Sequence, residues 1–202
     1  MRNKKELSTK MIAQIGMLGA ISVVLMLFEI PLPFAPTFYK IDLSEVPVLI
    51  GSFAMGPAAG AFIELVKILL NFLINGTDTA GVGEVANYFI GISMCIPAAA
   101  VYQKIHSKKG AVIGSAIGTI TMTIFGCFIN AYIMLPAYAS AFQLPIDTLV
   151  GMGTAINGKI TNLFTFVVFA VAPFNLIKGI AVSVIVLLIY KKIRPILKIA
   201  QE

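Results

Sequence analysis

The chain has 202 residues, of which 58% are hydrophobic and only 12% are charged, and its mean hydropathy is +0.94. A soluble domain carries about 25% charged residues, so this composition excludes one and indicates an integral membrane protein. The apolar stretches are continuous and lack the alternation of a membrane β-barrel, so we predict an all-α membrane protein.

The formal net charge of +6 comes from basic clusters that flank the apolar stretches. One cluster precedes the first stretch, one interrupts the middle of the chain and one follows the last stretch. They are Arg2, Lys4, Lys5 and Lys10; Lys104, Lys108 and Lys109; and Lys191, Lys192, Arg194 and Lys198. Cytoplasmic loops carry such clusters. The charge therefore predicts membrane topology and does not indicate a nucleic-acid partner.

In chain order, the first apolar stretch covers 11–28, and no small-residue cleavage site follows it, so we expect a retained anchor. Other long stretches cover about 57–75, 83–103, 110–135 and 162–190. Residues 43–75 would extend about 50 Å as one helix, too far for a single crossing. The Gly56-Pro57 pair is a strong breaker and predicts a separate short span at 45–55.

Charge placement decides between five spans and six. With six, all three basic clusters and the Gly56-Pro57 turn face the cytoplasm, whereas with five the middle cluster and the C-terminus would face outward. We therefore predict a bundle of six transmembrane helices at 11–192, with a basic cytoplasmic N-terminus at 1–10 and a basic cytoplasmic tail at 193–202. The acids then fall at the outer end: Glu29, Asp42, Glu45, Asp78, Glu84 and Asp147.

Two outer connections are long, at 29–43 and 136–161, and the first is rich in proline and aromatic residues. Long loops of this kind often cover a binding site. The alternative is a loop that lies on the lipid headgroups, where aromatic side chains concentrate. The sequence favours neither interpretation over the other.

Polar residues at membrane depth predict a functional site. Asn175 and Lys178 are three residues apart and share one face of the last span. The stretch "GEVANYF" places Glu84, Asn87 and Tyr88 on one face at the outer start of the fourth span, and Asn130 lies in the outer half of the fifth. All could converge on one outward cavity. The alternative is that they form hydrogen bonds between helices, with Lys178 paired to Glu84.

Other polar and small residues have structural interpretations. Glu64, Lys67 and Asn71 share one face of the third span, where the spacing suits an ion pair within the helix. Gly16 and Ala20 have the small-xxx-small spacing that permits close helix packing, either internally or against a partner subunit. Cys95 and Cys127 both lie in apolar runs and are expected to be small buried residues, without a disulfide or metal between them.

Catalytic motifs are missing from the sequence. It contains no Gly-rich phosphate loop followed by Lys-Ser/Thr, so we do not expect ATP hydrolysis by this chain. His106, the one histidine, lies in the basic middle loop, which argues against a membrane Ser-His protease. No acidic cluster resembles a divalent-metal site. We therefore expect a protein that is not an enzyme and has no metal or cofactor.

Several blocks of the sequence resemble a known family in the same order along the chain. These blocks are "PTFYKIDLSEVP", "GEVANYFIG", "INAYIMLPAY" and "APFNLIKG". The chain resembles the riboflavin-specific substrate-binding S component of energy-coupling-factor (ECF) vitamin transporters over about 40–190. The resemblance implies six helices and a multi-pass location in the plasma membrane of a prokaryote. It also implies a pocket near the outer face, covered by the first outer loop.

The resemblance also implies roles for individual residues. Asn130, Asn175 and Lys178 match the positions that contact riboflavin in the family. Gly16 and Ala20 fall where small residues dock the transmembrane coupling subunit, which works with two ATPase subunits. The flat ring of riboflavin could take apolar contact from three aromatic residues. These are Phe38, Tyr39 and Tyr88.

Three alternatives remain at this point. The chain could be an S component for another vitamin. It could be a stand-alone secondary carrier, in which case uptake would proceed without ATPase partners, although no inverted internal repeat is evident. It could also be a packing scaffold that binds no ligand.

Overall fold

The computed structural model describes residues 8–33, 36, 39–77 and 81–199, with side chains described up to 189 and at 192. Most of this part of the chain is helical, so the predicted all-α class is confirmed. The helices are α1 (Thr9–Met26), α2 (Glu45–Met55), α3 (Pro57–Asn75), α4 (Val82–Lys104), α5 (Lys108–Ile129), α6 (Leu135–Ala141), α7 (Ile146–Ile156), α8 (Leu163–Phe166) and α9 (Ala172–Ile199). Two π-helical turns, Asn130–Met134 and Val167–Val171, join α5 to α6 and α8 to α9.

Five helices in the described part of the chain are long and apolar enough to cross a membrane. They are α1, α3, α4, the continuous helix Lys108–Ala141 and the continuous helix Leu163–Ile189. The sixth predicted span corresponds to α2, which has only 11 residues. At about 1.5 Å per residue, α2 is about 16 Å long, half of the hydrocarbon thickness.

The turn between α2 and α3 is set by Gly56 and Pro57. Gly56 has φ of +105°, a conformation that favours glycine, and Pro57 opens α3 at a position where its missing N–H is not needed. A Cβ at Gly56 would lie 2.5 Å from the side-chain nitrogen of Gln103. Since Gln103 is next to the end of α4, α2 reaches the same end of the bundle as the C-terminus of α4.

The first outer connection folds back into the helix bundle. Its two short strands, β1 (Ile30–Pro31) and β2 (Lys40–Ile41), pair antiparallel with Ile30 opposite Ile41. Beyond β2 the chain turns inward, and Asp42, Ser44 and Glu45 are buried. Because the polypeptide already lies inside the bundle when α2 begins, α2 can be short.

The second outer connection is mostly helical, which the sequence analysis did not predict. The helix expected to end at 135 continues through α6 to Ala141, and α7 follows at Ile146–Ile156. Leu149 and Val150 of α7 are buried in one apolar cluster with Phe166 and Tyr39. The segment 136–161 therefore supports the first outer connection, because α7 packs on the same cluster that holds Tyr39.

Both cysteines are free thiols, and no disulfide or group of metal ligands occurs within the described residues. Cys95 is buried as predicted, whereas Cys127 is only half-buried beside the cluster that contains Tyr39. Many large apolar side chains on the outer faces are exposed, as lipid contact requires. Among them are Met17, Phe62, Leu73, Ile124, Phe164 and Leu188.

Candidate functional site

A cavity of about 370 Å³ lies at one end of the bundle. It is bounded by the C-terminal ends of α1, α3 and α5, the starts of α2, α4 and α9, and the connection between α1 and α2. Binding sites for small organic ligands have volumes of about 300–1,000 Å³. The apolar part of the wall is formed by Met26, Ile68, Ile90, Met122, Met134 and Phe174.

We call residues 29–44 the capping loop, because their described part closes one side of this cavity. Lys40 and Glu29 form an ion pair of 2.6 Å between the two strands. Tyr39 is buried, and its ring lies 5.0 Å from the ring of Phe174 on α9. Burial raises the pKa of the Tyr39 hydroxyl well above its usual range, so the group remains a hydrogen-bond donor. Phe38, also predicted as a site residue, lies outside the described residues.

Tyr39 connects the capping loop to Asn130. The Tyr39 hydroxyl donates a hydrogen bond of 2.8 Å to Asn130 Oδ1, and both side chains are buried. Asn130 in turn donates from Nδ2 to the carbonyl oxygen of Gly126 at 2.8 Å. The loop is therefore fastened to α5 through a polar contact inside the cavity.

A second polar contact fastens the loop to α9. Lys178 Nζ lies 2.9 Å from Asp42 Oδ2, and the other carboxylate oxygen of Asp42 accepts the backbone N–H of Ser44 at 2.8 Å. Burial alone would raise the pKa of Asp42, but the Lys178 and Lys67 ammonium groups hold it well below its usual range. The alternative in which Lys178 pairs with Glu84 is wrong, because Lys178 pairs with Asp42 of the capping loop.

Two of the asparagines that line the cavity, Asn130 and Asn175, are associated with π-helical turns. Asn130 begins the turn that ends α5, and Asn175 lies four residues beyond the turn that ends at Val171. Asn175 donates from Nδ2 to the carbonyl oxygen of Val171 at 3.0 Å. Each amide thus uses one N–H to satisfy a carbonyl of its own helix, and the oxygen of Asn130 also accepts from Tyr39, which leaves the second N–H and further acceptor capacity on the oxygens for a ligand.

Gly126 permits the close approach of α5 and α9 at this point. A Cβ on Gly126 would lie 2.8 Å from Asn175 Nδ2, closer than side-chain contacts normally are. Asn175 is 2% exposed and packs directly on the backbone of α5. Gly126 therefore helps to position both cavity amides, by hydrogen bonding to Asn130 and by making room for Asn175. The sequence analysis missed this role.

The opposite wall of the cavity comes from α3 and α4. Asn71, Glu84 and Asn87 line it, and Glu84 accepts a hydrogen bond of 3.0 Å from the Thr77 hydroxyl. Tyr88, which was predicted to share this face, is not among the residues that line the cavity, so its contact with a ligand stays a prediction. Tyr88 instead packs against Phe89, with ring centroids 5.4 Å apart.

A buried group of charges lies behind this wall. Lys67 Nζ lies 2.7 Å from Glu64 Oε1, which confirms the predicted ion pair within α3. It also lies 2.7 Å from Glu45 Oε1 at the start of α2. Sequence spacing relates residues of one helix only, so it could not reveal the contact with Glu45.

Gly16 and Ala20 lie on an exposed face of α1. A Cβ on Gly16 would have no neighbour within 4 Å, whereas one on Gly19 would lie 2.5 Å from Val66 of α3. Internal packing of α1 therefore uses Gly19, and the internal alternative for Gly16 and Ala20 is wrong. Docking of a partner at this face remains a prediction.

A membrane-embedded helical bundle with a partly polar cavity at one end is the architecture of a membrane protein that binds a small molecule. The model of the family "ECF transporter, substrate-specific component" matches residues 10–190. The chain belongs to this family.

The relatives are named as transporters. The chain is 36% identical over 191 residues to the riboflavin transporter FmnP of Bacillus subtilis, which covers 94% of each protein. It is 35% identical over 189 residues to the riboflavin transporter RibU of Staphylococcus aureus, covering 94% of this chain and 93% of the relative. The resemblance stated from the sequence is confirmed, and membership of a transporter family agrees with the prediction that the chain is not an enzyme.

A solved structure described as the S component of a bacterial ECF transporter has the same fold. It superposes with a TM-score of 0.72 at 35% identity, covering 94% of this chain and 98% of that structure. At this identity and coverage, the similarity extends over the whole bundle and includes the elements that form the cavity.

Proposed function

We propose that the chain captures riboflavin in the cavity beneath the capping loop and delivers it inward as the S component of an ECF transporter. The observation that carries the proposal is the convergence of Asn130, Asn175 and Lys178 from α5 and α9 on one cavity. These three residues come from the sequence blocks that resemble the riboflavin branch of the family. The names of the relatives support the same ligand.

The chemistry of the cavity suits a flavin. Riboflavin combines a flat ring, with donors and acceptors along one edge, and a hydroxylated side chain. Asn130 and Asn175 offer amide oxygens to its N–H and O–H groups, and Lys178 can donate to ring oxygens. Met122, Met134 and Phe174 supply apolar contact for the ring. Ligand pockets of this kind are mostly apolar with a few placed polar groups.

We also propose six membrane crossings with both termini in the cytoplasm and the cavity open to the outside. Gly56 contacts Gln103, so the turn between α2 and α3 lies at the end of α4 that carries Lys104. Under the positive-inside rule this basic end faces the cytoplasm. α2 then makes the sixth crossing from a start already inside the bundle. The bacterial origin of the relatives supports a location in the plasma membrane of a prokaryote.

Energy for transport would come from partner proteins. The sequence has no ATP-binding loop, and membership of the ECF S-component family implies a transmembrane coupling subunit and two ATPase subunits as partners. The exposed small-residue face of α1, with Gly16 and Ala20, is a suitable docking surface for another membrane helix.

The test is titration of the purified protein with riboflavin while flavin fluorescence is followed. We expect saturable quenching at one flavin per chain. Thiamine added under the same conditions should not change the fluorescence of the bound flavin. Absence of saturable quenching would contradict the proposal that the chain binds riboflavin. Uptake of riboflavin by vesicles that contain this chain alone would instead support a stand-alone carrier.

A further inference from the structure

The charges behind the cavity do not balance. The buried ionic cluster, as we define it, consists of Asp42, Glu45, Glu64, Lys67 and Lys178. Lys67 lies 2.7 Å from each of Glu45 and Glu64, and Lys178 lies 2.9 Å from Asp42. No side chain of the cluster is more than 9% exposed. Three carboxylates thus face two ammonium groups, and full ionisation would leave one uncompensated negative charge inside the bundle.

Glu64 is the carboxyl group with the poorest hydrogen bonding. Glu45 accepts a hydrogen bond from Lys67, and Asp42 accepts from Lys178 and from the Ser44 backbone. Glu64 Oε2 has no hydrogen-bond partner among the described groups, and Oε1 meets only Lys67 Nζ, which Glu64 shares with Glu45. Burying a carboxylate whose charge is only partly compensated costs more than burying a neutral acid.

No other described group near Glu64 can supply the missing positive charge. The titratable groups that act on it are Lys67 of its own helix, Glu45 of α2, Cys95 and Tyr88 of α4, and Lys178 of α9. Glu64 also lies against the backbone of α4, where a Cβ on Gly91 would be 2.3 Å from Oε1. This contact leaves no space for a metal ion between the carboxyl group and α4.

We propose that Glu64 is a proton-binding site in the folded protein, so that the buried ionic cluster is neutral as a whole. One proton from water joins one carboxylate oxygen, and no other reactant is needed. With Glu64 protonated, its contact with Lys67 becomes one between an ammonium group and a neutral acid, and the ion pair of Lys67 is with Glu45, which holds the start of α2 against α3. Loss of the proton at high pH would make Glu64 compete for Lys67 and would loosen this contact.

The first test is infrared spectroscopy of the purified protein at neutral pH. We expect a carbonyl band of a protonated carboxylic acid, absent in Glu64→Gln. Glu45→Gln should also lack the band, because removing one acid balances the cluster and lets Glu64 ionise beside Lys67. Asp147→Asn, which changes an exposed residue of α7, should retain it. A spectrum without the band, or a band unaffected by Glu64→Gln, would overturn the proposal.

The second test is thermal unfolding as a function of pH, which does not depend on the proposed ligand. A carboxyl group that binds a proton only when folded lowers stability as pH rises, by up to tenfold in the unfolding equilibrium per pH unit. We expect the wild type to lose stability relative to Glu64→Gln from about pH 5, where the unfolded chain has given up this proton, up to the pH at which folded Glu64 releases it, and the variant to be the more stable protein. A Glu64→Gln variant that is less stable than wild type at neutral pH, with an unchanged pH profile, would contradict the assignment.

Discussion

Lys178 of α9 and Asp42 of the capping loop form an ion pair of 2.9 Å inside the bundle. This contact explains how a lysine is accommodated in an otherwise apolar span. It also joins the loop to the wall of the cavity, so a ligand that contacts Lys178 binds next to the residue that holds the loop in place. The two roles of Lys178, as partner of Asp42 and as ligand contact, can be separated by mutation.

Lys178→Met should destabilise the protein and weaken riboflavin binding together. Breaking a buried pair from one side costs about 3–5 kcal/mol, because Asp42 is left without a partner. The double variant Lys178→Met/Asp42→Asn should recover most of the thermal stability, whereas riboflavin affinity should stay about 10-fold or more below wild type. Thermal unfolding and flavin titration measure the two effects. Full recovery of affinity in the double variant would show that Lys178 does not contact the ligand.

Tyr39→Phe should have a smaller effect than Tyr39→Ala. The phenylalanine keeps the ring packing on Phe174 and loses the hydrogen bond to Asn130, worth about 1 kcal/mol. The alanine also loses a buried aromatic ring, which costs about 3–5 kcal/mol. Thermal unfolding without ligand is the measurement. Equal losses in the two variants would mean that the hydroxyl, and not the ring, holds the capping loop.

Gly126→Ala should weaken riboflavin binding although residue 126 does not itself line the cavity. The added methyl group would collide with Asn175 Nδ2 and displace the amide from its position beside Val171. We expect riboflavin affinity to fall by about tenfold, the equivalent of about 1.4 kcal/mol. The matched control is Gly151→Ala on α7, where a Cβ would meet nothing within 4 Å. Equal riboflavin affinities of the two variants would show that Gly126 does not position Asn175.

The ion pair of Asp42 should persist in mild acid. Because its pKa is lower in the folded protein than in the unfolded chain, the stability that Asp42 contributes is present above its ordinary pKa of about 3.9. That contribution declines only as pH falls below this value toward the folded pKa. Measured in a Glu64→Gln background, where residue 64 cannot titrate, the loss of thermal stability caused by Asp42→Asn should therefore be constant from about pH 8 to about pH 5. A difference that disappears between these values would contradict the sign of the shift.

Relationships within one helix could be predicted from the sequence. The ion pair between Glu64 and Lys67 follows from their spacing on α3, and the shared face of Asn175 and Lys178 follows in the same way. Tyr88 shows the limit of this reasoning, since helical spacing defines a face only to within about one residue. Which side of that face meets the cavity depends on how α4 is rotated in the bundle, and tertiary packing sets that rotation.

Contacts between elements could not be predicted in this way. Asp42 and Glu45 were expected at the outer end of the bundle, but the capping loop turns inward and brings them to Lys178 and Lys67. Their partners are separated along the chain by 136 and 22 residues, so no local pattern links them. The helix α7 was missed because the interpretation of 136–161 as a loop rested on length and topology rather than on its apolar spacing.

The charge of the cavity wall should make the protein prefer riboflavin over its 5′-phosphate. Among the described residues that line the cavity, four are acidic and two are basic: Glu29, Asp42, Glu45 and Glu84, against Lys40 and Lys178. A phosphate group adds about −1.5 to −2 charges, and a like charge at 4 Å costs about 4 kcal/mol near a protein surface. Glu84 is the natural position to test, because its partner Thr77 is neutral.

Glu84→Gln should therefore narrow the ratio of the two dissociation constants, mainly by improving affinity for the phosphate ester. The control Asp147→Asn removes one negative charge from an exposed position on α7 and should leave the ratio as in the wild type. Competition titrations with both flavins at two salt concentrations measure the effect, and added salt should reduce it because exposed charges are screened. Equal ratios in the two variants would show that Glu84 lies too far from the phosphate to discriminate against it.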